Sequence, residues 1–150
     1  MRMGKELGKL LLPGDVIALE GDLGAGKTML TKGIASGLGI PDRITSPTFT
    51  LINEYHLESR SFFHVDCYRL GAKASSTAEA ISIGLVEILS EENIVVIEWA
   101  EKVKPLLPAS HLWIEMHHEG ENSRRITVQG KGARGVKLAK RWLKALEAGR

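Results

Sequence analysis

The sequence predicts an α/β fold, a mixed sheet with helices on both faces, formed as a single domain over residues 1–150. Three observations predict it. Val16-Ile17-Ala18-Leu19 and Ile94-Val95-Val96-Ile97 are short unbroken apolar runs, the pattern of strands covered on both faces by other elements. A glycine-rich segment, Gly21–Gly26, leads from the first run into a stretch with helical spacing. The chain is 43% hydrophobic and 25% charged over 150 residues, enough for one core without disulfides or metals and too short for two independent catalytic domains.

Met3–Leu12 reads as a short helix ended by Pro13-Gly14, and Val16–Glu20 as a buried strand. Leu30, Ile34, Ala35 and Leu38 keep helical spacing over Lys27–Leu38, with Gly39 as the stop. Phe49–Tyr55 and Phe62–Val65 read as a hairpin around the polar segment His56–Ser61. Ser76 and Glu79 have capping-box spacing ahead of Ile81, Leu85, Ile88 and Leu89, which predicts a helix over 77–90. Asn93–Glu98 is the second buried strand. His111–His118 and Arg125–Val128 alternate as two further strands around Glu119–Ser123, and Ala139, Trp142, Leu143 and Leu146 mark an apolar stripe on a last helix near 134–148.

No apolar run reaches the roughly 20 residues of a membrane span, and the first residues lack a small-residue cleavage site, so the expected location is the cytoplasm. Cys67, the sole cysteine, excludes an internal disulfide and a multi-cysteine zinc site, and reads as a half-buried thiol. Net charge is +2, but residues 124–150 hold nine Lys/Arg against one acid while residues 1–123 hold eleven against seventeen. That basic segment is either a solvated helix face or a surface for an acidic partner or nucleic acid.

Gly21-Asp22-Leu23-Gly24-Ala25-Gly26-Lys27-Thr28 places two of its glycines with four residues between them ahead of lysine and a hydroxyl residue, between a predicted strand and a predicted helix. Loop amides and a helix N-terminus then converge on phosphate, and side chains in place of the glycines would obstruct it. Lys27 is expected to carry its ammonium to the β and γ phosphates, and Thr28 its hydroxyl to Mg²⁺. The fold expectation therefore sharpens to a P-loop NTPase-like α/β domain.

Such a cradle needs an acid at the end of a core strand to hold the metal, and Asp66 and Glu98 both stand at predicted strand ends. Trp99, next to Glu98, has two readings: stacking on a purine or packing in the core. His64, Asp66 and Cys67 are too close on an extended chain to form a metal cluster, because alternate side chains point to opposite faces. His117-His118 reads as a strand end with one ring exposed, and Trp113 and Trp142 as core residues.

Four blocks together resemble the TsaE (YjeE) family, the bacterial ATPases of tRNA threonylcarbamoyladenosine biosynthesis. They are GDLGAGKT at Gly21–Thr28, SPTFTL at Ser46–Leu51, HVDCYRL at His64–Leu70, and Glu98-Trp99 after its apolar strand. The resemblance covers most of residues 13–100 and implies a cytoplasmic protein that binds and slowly hydrolyses ATP. It also implies support of the TsaB–TsaD complex, which modifies the adenosine beside the tRNA anticodon. Thr28, Asp66 and Glu98 would then surround Mg²⁺ and the γ-phosphate, Trp99 would lie against the adenine, and Ser46–Thr50 would form a switch-like loop. Two departures stand out: Met29 replaces a frequent second threonine, and the family's usual N-terminal strand and Thr-containing helix start have no counterpart.

The expected chemistry is in-line attack of water on the γ-phosphate, with the amides of Gly24, Gly26 and Lys27 and the Lys27 ammonium offsetting the developing charge. Asp66 or Glu98 would orient the water or the metal. No arginine finger is assignable, so turnover by the free protein is expected to be slow. Three rival functions share the same cradle. A GTPase lacks an N/T-K-x-D guanine-reading sequence here, and a small-molecule kinase would want an arginine-rich lid that Arg60 and Arg69 do not make. A nucleotide-controlled binding module remains compatible with the same cradle. Direct tRNA contact by the basic segment is the minor reading beside contact through the partner.

Overall fold

A computed structural model describes residues 2–22, 24–41, 43–47, 50–71 and 73–149. Its six strands are β1 (Val16–Gly21), β2 (Ile52–Leu57), β3 (Arg60–Asp66), β4 (Asn93–Glu98), β5 (His111–His118) and β6 (Arg124–Lys131). They form one sheet in the order β2-β3-β4-β1-β5-β6. The inner four run parallel, while β2 and β6 pair antiparallel at the edges, so the sheet is mixed as predicted.

The helices are α1 (Arg2–Leu10), α2 (Lys27–Gly37), α3 (Lys73–Ser82), α4 (Leu85–Ile88) and α5 (Gly132–Ala148), with a 3-10 segment over Ala100–Leu106. Strand alternation sends Ile17 and Leu19 to one core with α1, α2 and α5, and Val16 and Ala18 to the other with α3, α4 and the 3-10 segment. The chain thus leaves β1 onto one face and leaves β4, its neighbour, onto the opposite face. A crevice opens between such strand ends, and in open α/β sheets it is where ligands bind.

Helices α1 and α2 approach closely enough that glycine is required between them. A Cβ on Gly8 would lie 2.1 Å from the Ile34 carbonyl oxygen, and one on Gly37 2.1 Å from that of Lys5. Helix α5 docks through Leu138 and Trp142, whose indole N–H donates to the Met3 carbonyl at 3.0 Å. Trp113 is also buried, as expected.

Several boundaries differ from the sequence reading. The helix expected over 77–90 is two pieces: α3 starts at Lys73, and Gly84 at φ +93° breaks it before α4. Ser76 is therefore not a cap. It is buried inside α3, and its hydroxyl donates to the Lys102 carbonyl at 2.6 Å, because a buried hydroxyl takes the acceptor that tertiary packing offers. The hairpin turn contracts to Glu58-Ser59, and β6 extends to Lys131, since cross-strand pairing continues past the apolar residues that signal a strand. Phe49, the expected start of β2, lies outside the described residues. No helix among the described residues is long and apolar enough to cross a membrane.

Candidate functional site

Strand β1 delivers its C-terminal end to the crevice, and the chain turns there because Gly21 passes too close to β5 for any side chain. A Cβ on Gly21 would lie 2.1 Å from the Met116 carbonyl oxygen. Gly26 adopts φ +103° as the N-terminal cap of α2, with no side chain capping the helix. The first amides of α2 are left open toward the crevice, with the positive end of the helix dipole behind them.

Lys27 begins that helix and is almost wholly buried. Its ammonium donates to the carbonyls of Gly21 and Asp22 at 2.7 and 2.8 Å, so it is held inside the loop. Burial lowers its pKa, and the nearby carboxylates of Glu98, Glu101, Asp66 and Asp22 oppose that shift. Thr28, one residue on, donates its hydroxyl to Glu98 Oε1 at 3.1 Å, with Oε2 at 3.4 Å.

Asp66 and Glu98 are register partners at the ends of β3 and β4. The two carboxylates candidate from sequence therefore stand side by side on one face, opposite Thr28. Asp66 accepts the Tyr68 N–H at 2.9 Å and the Ser46 hydroxyl at 3.4 Å. Burial raises its pKa above the ordinary aspartate value, helped by the charge of Glu98 and opposed by the Tyr68 amide, His64 and the Ser46 hydroxyl. Glu98 also contacts His64 Nε2; the imidazole has no exposed surface, while Glu98 keeps a small exposed part where it borders the cleft.

Gly24, Gly26, Lys27, Thr28, Asp66, Glu98 and Trp99 all line one cleft of about 390 Å³, together with Met29, Ser46 and Tyr68. Of the other loop residues named from sequence, Gly21, Asp22 and Ala25 are not among those that line it. Asp22 sits beside His117, 3.6 Å away, and the buried Ala25 offers its carbonyl to Arg124 Nε at 3.1 Å. Leu23 lies outside the described residues, as does Thr48 of the Ser46–Thr50 segment. Within that segment Ser46 reaches the cleft, while the Thr50 hydroxyl turns to Asn53 Oδ1 at 3.2 Å.

Trp99 joins the cleft instead of packing wholly in the core. Its backbone is left-handed at φ +59°, an uncommon state for a bulky residue, and this turns its ring over the Lys27 ammonium at 4.4 Å and against Tyr68 at 5.0 Å. Cys67 differs from expectation. It is 1% exposed rather than half-buried, because alternation turns it from Asp66 into the opposite core, and burial pushes its thiol up to about 12. His117 is partly covered and His118 exposed, as the strand-end reading anticipated.

Sequence reasoning missed four neighbours of the cleft: His64, Tyr68, Arg124 and Glu101. His64 was legible, since two-residue periodicity puts it on the same face as Asp66. Arg124 was not, because 99 residues separate it from the carbonyl it holds. Glu101 has one carboxylate oxygen buried with no hydrogen-bond partner among the described residues, and burial raises its pKa.

The family model described as "Threonylcarbamoyl adenosine biosynthesis protein TsaE" matches residues 1–126. This chain belongs to the TsaE family. It is 42% identical over 122 residues to the tRNA threonylcarbamoyladenosine biosynthesis protein TsaE of Bacillus subtilis (strain 168), covering 81% of this chain and 73% of that one. It is 42% identical over 127 residues to the protein of that description from Treponema pallidum (strain Nichols), covering 85% and 90%. The crystal structure of Bacillus subtilis YdiB superimposes with a TM-score of 0.78 at 36% identity, over 95% of this chain and 86% of that one. TsaE membership ties the chain to threonylcarbamoyladenosine biosynthesis on tRNA. All of α5 lies beyond the residues that the TsaE model matches.

Proposed function

We propose that this cleft binds MgATP and hydrolyses it slowly, and that the nucleotide state governs support of the TsaB–TsaD complex in forming threonylcarbamoyladenosine beside the tRNA anticodon. The observation that carries the reading is the Thr28 hydroxyl on the Glu98 carboxylate, at the uncapped start of α2 beside the buried Lys27 ammonium. A glycine turn alone has no use for that grouping.

The residues fit Mg²⁺. Two carboxylates and a hydroxyl are hard oxygen donors, and Mg²⁺ in such sites keeps waters and takes substrate phosphates for its remaining ligands. Among the described residues no three His, Cys, Asp or Glu side chains gather as an all-protein metal cage, and a nucleotide site does not need one. Thr28 and Glu98 would hold the ion, which would screen phosphate charge and polarise the γ-phosphoryl group.

The chain's own residues supply the rest. The first amides of α2 and the Gly24–Gly26 loop bind phosphate oxygens, and Lys27 offsets charge where it develops in the transition state. Asp66, held by the Tyr68 amide and the Ser46 hydroxyl opposite the loop, orients the attacking water. Its raised pKa makes it a better proton acceptor than an ordinary aspartate. Trp99 provides an aromatic wall for the base.

A docking role is favoured by two exposed residues at the mouth of the cleft, Met29 at 52% and Tyr68 at 44%. A partner seated there would cover apolar surface and exclude water from the phosphates, which accounts for slow turnover in the free protein. In this reading tRNA is met through that partner. ATPase assays of Lys27→Ala and Thr28→Ala, alone and with TsaB–TsaD, test the proposal. Losses of at least about 100-fold are expected, the scale for removing one transition-state stabiliser. Wild-type turnover in both variants would exclude the cleft as the site.

A further inference from the structure

His64 lies on β3 between Phe62 and Asp66 on one face of the sheet, with no exposed surface. Its register partner on β4 is Val96, and Glu98 is the next residue of β4 on that face. The imidazole therefore reaches Glu98 diagonally across the strand pair and meets Oε2 through Nε2. Its other nitrogen, Nδ1, is buried without a hydrogen-bond partner among the described residues. A histidine kept for packing alone would sit there at a cost that a leucine avoids. Left bare, Nδ1 is better as a lone pair than as an N–H, which assigns the proton to Nε2, where it donates to Glu98.

Glu98 is thus held from two sides. Thr28 grips it from the loop, and His64 grips it from inside the sheet. The Thr28 side faces the cleft, whereas the His64 side is closed to solvent. Asp66 does not share this task, since its oxygens serve Tyr68 and Ser46.

We infer that His64 is the positioning residue of Glu98: its Nε2–H fixes the rotamer that points the carboxylate at Thr28 and at the divalent cation accompanying a bound triphosphate. The inference rests on the proposed MgATP site. Groups that orient a metal-binding carboxylate in this way are worth about 10- to 100-fold in metal affinity or activity.

The test is titration with a fluorescent ATP analogue, with and without Mg²⁺, on the full chain. His64→Ala is expected to keep its metal-free affinity within about twofold of wild type and to lose about 10-fold of the gain that Mg²⁺ brings. His64→Gln, whose amide reaches the place of Nε2, should recover most of that gain, and His64→Asn, too short to reach, should not. In a Glu98→Gln background, His64→Ala should add less than about twofold, because the two residues act as one unit. Full Mg²⁺ gain in His64→Ala overturns the inference, as does an equal loss in the Glu98→Gln background. Should His64→Ala fail to fold, equal Mg²⁺ gains in the Gln and Asn variants overturn it alone. A wild-type protein that takes up no analogue overturns the nucleotide reading itself, and this inference falls with it.

Discussion

The Lys27 ammonium lies 4.4 Å from the centroid of the Trp99 ring, so the loop's cation and the tryptophan after Glu98 share one wall of the cleft. A nucleotide that draws the ammonium onto phosphate changes the surroundings of that indole. Intrinsic fluorescence is expected to shift on adding MgATP, and Trp99→Phe should abolish the shift. Trp113 and Trp142 are buried in the two cores and line no part of the cleft. An undiminished response in Trp99→Phe would place the nucleotide elsewhere.

Arg124 Nε donates to the Ala25 carbonyl at 3.1 Å and so tethers the phosphate loop to the start of β6. The arginine is largely exposed and offers one such bond, worth about 1 kcal/mol. Arg124→Ala should weaken nucleotide binding about fivefold, the equivalent of that energy. Its melting temperature should move little. Calorimetric titration with MgATP measures the first and a thermal melt the second.

Asp66 sets a pH dependence. Burial raises its pKa in the folded protein, so the native state holds the proton more tightly than the unfolded chain does. The favourable contribution is present at pH below the ordinary aspartate range and is lost as pH rises through the raised native value. At neutral pH the buried charge is a net cost. Asp66→Asn is therefore expected to melt higher than wild type near pH 7, at about 2–4 °C per kcal/mol for a chain of this size. The gap should close as pH falls toward 4, while ATP turnover is lost throughout. Melts across pH 4–8 check the sign, and a constant gap would contradict it.

Cys67 should be inert in the native protein. With 1% exposure and its thiol pushed up to about 12, it offers neither access nor thiolate at pH 8. Iodoacetamide labelling followed by mass spectrometry is expected to show almost no adduct until denaturant is added. Rapid labelling under native conditions would mean that β3 opens at its end.

The phosphate loop was legible because its chemistry is local. Gly21–Thr28 are consecutive, and the buried strand before them and the helical spacing after them lie within a few residues. Glu98 was legible because Ile94–Ile97 announces a central strand and the acid directly follows it. The break at Gly84 and the inward turn of Ser76 were not. A glycine inside a helical pattern and a serine with capping spacing each have two local solutions; Gly84 takes the left-handed backbone that ends the helix, and Ser76 takes the acceptor that the 3-10 segment offers.

The sequence by itself determined that strand, loop and helix would build a phosphate cradle, since glycine dihedrals and helix amides act at short range. Only the tertiary structure decided what surrounds it. The pairing of β3 with β4 set Asp66 beside Glu98, brought His64 under that carboxylate, and left Trp99 over Lys27. Those relations depend on which strands become neighbours and in what register, a choice made by the burial of two cores over the whole chain and carried by no single stretch of it.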